Sequence, residues 1–171
     1  MQRTPGPYAA WVSWLAAFGR GEDLPAGHLT PIDADLGPQM AERLARHVAE
    51  AFHDRLRRWQ TAFSRDQQLL TARPEQAVTV LAVVLADARK RLGPLVAFTV
   101  HPGLPAELRT SLADSLRDSI SSAQQSLEDA VRDAPAELRN AVRQNSLEPA
   151  LTRPAAPPPA GPARGRRVIL D

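Results

Sequence analysis

Between Tyr8 and Val142 apolar residues recur three and four positions apart, the spacing of one face of an α-helix. The longest stripe is Met40, Leu44, Val48, Phe52, Leu56, Trp59 and Phe63. Pro38 stands at its head, where a helix tolerates proline because the first N–H has no partner to lose. The other face pairs Glu42 with Arg46 and Asp54 with Arg58, acid first, at the helical spacing. The pattern predicts a helix from Pro38 to about Leu70, roughly 45–50 Å long at ~1.5 Å per residue. A second long stripe is Leu108, Leu112, Leu116, Ile120, Ala123, Leu127 and Val131. It predicts a helix from Pro105 to about Asp133, with a solvated face carrying Ser111, Ser115, Ser119, Ser122 and Ser126. Pro135 interrupts that pattern, because the residue before a proline avoids the helical region. A shorter helix, from Pro135 to about Asn145, carries Leu138 and Val142. The string PAELR occurs at 105–109 and again at 135–139, the same helix-start chemistry used twice.

Two further segments complete the pattern. Tyr8, Trp11, Val12, Leu15 and Phe18 form an N-terminal stripe, with Trp14 at its edge, that stops at Gly19 and Gly21. The segment lacks the Lys/Arg-rich face of a membrane-surface helix, so it is expected to pack on the bundle. Pro74–Gly93 is different in kind. From Ala77 to Ala86 only Thr79 is polar, so this helix is apolar on nearly every side and belongs inside a fold. Pro74 and Glu75 start it, and Gly93-Pro94 is expected to end it. Arg89, Lys90 and Arg91 then fall in its last turn, where the helix dipole favours cations. Residues 95–101 are expected to form a short buried helix or an extended connector. The alternative is a strand paired with 78–85.

The elements add up to an all-α fold: a bundle of about four to five helices around a buried central helix, spanning 1–147. Residues 148–171 are a Pro/Ala/Gly/Arg-rich stretch expected to be a disordered tail.

Composition narrows the functions. There is no Cys, which removes disulfides, thiolate nucleophiles and Cys-ligated zinc. Lys90 is the single lysine against many Arg, a bias expected of a GC-rich bacterial coding sequence. The formal charge is +2. Residues 151–171 hold four Arg (Arg153, Arg164, Arg166, Arg167) and one acid, Asp171. Taking 4 from 21 basic and 1 from 19 acidic residues leaves 17 against 18. A near-neutral body is a poor start for a nucleic-acid binder, whose affinity comes largely from neutralising phosphates. The opening MQRTPGPYAAWVSW has a Pro-Gly-Pro break in place of the apolar core of a secretory signal. No apolar run reaches the roughly 20 residues of a membrane span. A cytoplasmic location is the resulting expectation.

Candidate chemistry is sparse. There is no phosphate loop, dinucleotide fingerprint or nucleophile elbow. His28, Asp33 and Asp35 share the Gly/Pro/Asp-dense stretch 19–37, where such residues ordinarily serve turns and caps. Glu50 and His53 match half of a di-iron Glu-x-x-His pattern, with no second copy to complete it. Arg55, Arg57, Arg58 and Trp59 make a basic cluster with an aromatic. However, Asp54 lies beside it, Trp59 falls on the apolar stripe, and no helix-turn-helix signal accompanies it.

The expectation is therefore a non-enzymatic protein-interaction or adaptor protein with no cofactor and no metal. Its partner is an unidentified protein, and its long amphipathic helices would also support self-association. A flexible spacer ending in a basic and then apolar segment is the layout of a docking peptide, here Arg166, Arg167, Val168, Ile169 and Leu170. A small transcription-associated regulator is one alternative. A ligand- or metal-binding bundle, using the 19–37 loop and His101 as a lid or site, is another.

Overall fold

The computed structural model describes residues 6–32 and 36–147. They form five helices: α1 (Pro7–Arg20), α2 (Pro38–Ala72), α3 (Ala77–Thr99), α4 (Ala106–Ala130) and α5 (Ala136–Gln144). A 3-10 turn, Pro74–Gln76, leads into α3. Among the described residues there is no strand, so the fold is an all-α bundle. The tail residues Arg166, Arg167, Val168, Ile169 and Leu170 lie outside the described residues, as do Asp33 and Asp35.

α2 is the spine. It buries Leu44, Val48, Phe52, Leu56, Trp59, Phe63 and Leu70 along one stripe, and α1, α3 and α4 pack against it. Met40, at the head of the predicted stripe, is 45% exposed. α1 begins with Pro7 at its first turn and ends at Gly21. Gly21 has φ +94°, a left-handed conformation that costs glycine nothing, and its N–H caps the carbonyls of Ala17 and Phe18. Between α2 and α3 the chain bends by 107° at Arg73, which precedes a proline and so leaves the helical region.

α3 departs from expectation in two ways. First, it runs through Gly93 and Pro94 to Thr99, so residues 95–99 are helix and not a connector or strand. An interior proline costs about 3 kcal/mol and an exposed glycine about 1. Leu95 and Phe98, almost fully buried, return about 1.5–3 kcal/mol each. Burial therefore offsets the two helix breakers. Second, α3 touches every other helix but is not enclosed by them. Leu81, Val84, Leu85, Ala88, Leu92 and Leu95 face the core, while Val78 is 42% and Val83 66% exposed. Ala82 and Ala86 are exposed on the same flank.

Residues 145–147 close the bundle. Leu147 is fully buried, and its N–H donates to the buried side-chain oxygen of Gln124. Arg89 donates to the carbonyls of Asn145 and Ser146, so its position on α3 serves this closure and not the end of a helix. Among the described residues no single helix is long and apolar enough to cross a membrane.

Candidate functional site

Residues 21–32 form a strap across the end of the bundle where α1 meets α3. Leu29 and Ile32 plug into the core. The indole of Trp11 donates to the Thr30 carbonyl at 2.8 Å, and that of Trp14 to Leu24 at 3.2 Å. The N–H of Ile32 donates to the Gly103 carbonyl, tying the strap to the α3–α4 turn. From α2, Arg55 donates to the carbonyls of Glu22 and Phe18 and pairs with Asp23. Its guanidinium also lies 4.6 Å over the Phe18 ring.

Beneath the strap, Trp14, Phe18 and Phe98 contact one another with ring centroids 4.7–5.2 Å apart. His101 completes the group. The Gly103 N–H donates to its Nδ1, and its Nε2 lies 3.1 Å from the Ala26 carbonyl. One neutral tautomer, with the proton on Nε2, satisfies both contacts. A pocket of about 270 Å³ remains between Leu24, Pro94, Phe98 and His101. Both ring nitrogens of His101 are engaged in holding the strap, so the pocket offers a ligand aromatic faces and no free imidazole.

The basic-aromatic cluster is dispersed. Arg55 is buried against α1, and Trp59 is buried with its indole donating to the Ala88 carbonyl of α3. Arg57 and Arg58 point outward, and Arg57 pairs with Asp54. A buried, hydrogen-bonded Trp59 cannot stack on a base. Of the Glu-x-x-His pair, Glu50 lies 3.5 Å from His47, and His53 meets the Ser115 hydroxyl of α4 at 3.4 Å. Among the described residues no three His, Asp or Glu side chains are grouped to hold a metal ion.

At the opposite end of α3, the exposed flank runs into an open cleft of about 660 Å³. The 3-10 turn and first turn of α3 form one wall, and the α4–α5 turn the other. Leu70, Ala77, Val131 and Leu138 are its buried floor. Pro74 and Pro135 both line it, each just ahead of an α-helix. The rim is acidic: among the described residues Glu75, Asp133 and Glu137 line it and no Lys or Arg does. Glu75 and Glu137 sit in first helical turns, where the positive end of the helix favours carboxylates. Sequence pattern reveals the apolar run and the three acids, but not that 74–79 and 130–138 meet. The one hint is the recurrence of Pro followed by Glu at helix starts.

Comparison of the chain with protein-family models, with curated proteins and with solved structures finds no match.

Proposed function

We propose that the chain is a non-enzymatic protein-interaction or adaptor protein. In this reading a partner docks on the α3 flank and the adjoining cleft, and the segment Arg166, Arg167, Val168, Ile169 and Leu170 provides a second docking element. The observation that carries the reading is the exposure of Val78 and Val83 on a helix whose other face is core. An apolar flank opening into an apolar-floored cleft is surface of the kind that marks protein contacts. Folding alone gives no reason to keep valine at Val83, since a charged residue there would cost the core nothing.

The test compares proteins co-purifying with the native chain, with Val83→Asp and with Ile169→Asp from one lysate. Both variants should fold as the native chain does, by far-UV circular dichroism and thermal melting. Each should lose partners that the native chain retains. Recovery of the same partners by both variants would overturn the reading. Light scattering on the same samples reports whether a second copy is among the partners.

A further inference from the structure

We infer that the acid-rimmed cleft between the start of α3 and the α4–α5 turn is the seat of this chain's own 164–171 segment. The match is one of charge and apolar character together. Among the described acids, Glu75, Glu107, Asp118, Glu128, Asp133 and Glu137 form no salt bridge. Three of these six line one cleft, and no described cation lines it with them. Arg73, Arg132 and Arg139 are near in sequence but outside the lining, and Arg132 pairs with Asp129. The segment ARGRRVILD carries Arg164, Arg166 and Arg167 against the single acid Asp171, followed by Val168, Ile169 and Leu170. Cations meet the rim while the aliphatic triplet covers a floor of Leu70, Ala77, Val131 and Leu138. A buried apolar contact framed by opposite charges also fixes register, because a shifted peptide would bring Asp171 to the acidic rim.

Reach favours the same molecule over a second copy. α5 starts at the cleft wall and has nine residues, so Leu147 lies roughly 15 Å from the cleft. The sixteen residues 148–163 span up to about 50 Å at ~3.1 Å per residue. A tether of this kind gives an effective concentration in the millimolar range. A peptide whose free dissociation constant is about 0.1 mM is then roughly nine-tenths docked in its own chain. The docked segment withholds both the cleft and the Val168–Leu170 triplet from other proteins. The full chain is held closed until a competitor displaces the segment. This goes beyond the partner-binding reading, and its test contains no partner.

The chain has no Cys, so Ala163→Cys gives one site for a nitroxide label on the full-length protein. The label should broaden the amide resonances of Ala77, Val78, Asp133 and Leu138 in its own molecule. Unlabelled chains mixed with nitroxide-bearing chains should show no such broadening. Ile169→Asp leaves the body untouched and should abolish it. The neutralised rim, Glu75→Gln with Asp133→Asn and Glu137→Gln, should weaken it at least several-fold, as should high salt. No broadening at the cleft, broadening confined to the mixed sample, or broadening that survives Ile169→Asp would each overturn the inference.

Discussion

Arg55 reaches from α2 to the strap, and replacing it separates two accounts of how the strap is held. Its guanidinium donates to the Glu22 carbonyl at 3.0 Å and to Phe18 at 3.3 Å, and meets the Asp23 carboxylate at 2.5 Å. The side chain of Arg55 is 9% exposed and that of Asp23 70%. The two ends of the ion pair therefore have different fates. When Arg55 is lost, Asp23 regains water, and a pair with so exposed a partner contributes about 0.2–1 kcal/mol. The carbonyl bonds are shielded, and a hydrogen bond from a charged donor contributes about 1.5–3 kcal/mol. Phe18 keeps the Gly21 N–H as a second donor, so the larger loss falls on Glu22. The contact over the Phe18 ring adds about 0.5–1 kcal/mol. Arg55→Met preserves most of the stem's packing and should cost about 2–4 kcal/mol. Asp23→Ala should cost less than about 1. Urea unfolding followed by far-UV circular dichroism reads both, with an unchanged slope. The double variant should show a coupling below about 1 kcal/mol. If Arg55→Met costs no more than Asp23→Ala, the exposed ion pair and not the carbonyl bonds secures the strap, and the reasoning fails.

Two glycines give different expectations. A Cβ on Gly103 would stand 2.9 Å from His101 Cε1 and 3.0 Å from Trp11 Cζ2. Trp11 is fully buried and His101 is held at both nitrogens, so neither can retreat, and Gly103→Ala should cost about 1–3 kcal/mol in thermal unfolding. Gly93 is exposed in mid-helix, and a Cβ there meets nothing within 4 Å outside its own stretch of helix, where its neighbour is Pro94. Gly93→Ala should gain about 1 kcal/mol of helix propensity and lose most of it against the Pro94 ring, which crowds a Cβ on the residue before it in a helix, so the melting temperature should move by less than about 2 °C; a larger rise would mean that the ring does not crowd this position.

The stripes of α2 and α4 were legible because each repeats a strong contrast between large apolar and charged or Ser residues over six turns or more. Leu44 through Phe63 are buried where the spacing put them, as are Leu112, Leu116, Ile120 and Leu127, while Ala123 is half-buried. α3 was legible as a helix but not in its orientation. A run of Val, Leu and Ala has little contrast between faces, so nothing local says that Val84 turns inward while Val83 turns out. Its length is not legible because Gly93-Pro94 is a local stop signal, whereas the burial of Leu95 and Phe98 that overrides it depends on the other helices. The strap was illegible for a related reason. Stretch 19–37 has no period, and its ties join indole and guanidinium groups to carbonyls 10 to 33 residues away. The acidic cleft needs contact between the starts of two helices some sixty positions apart, which composition does not encode.

The hydrogen bonds of the indoles give the chain an optical property. Its three tryptophans fall into two groups by what they touch. Trp11 and Trp14 are bonded to the strap, and Trp59 to α3 across the middle of the bundle. Intrinsic fluorescence is thus a weighted sum over two seams, and its unfolding curve need not coincide with loss of helicity. A chain carrying Trp59→Phe would emit from the strap alone, making the opening of that end visible without any added dye.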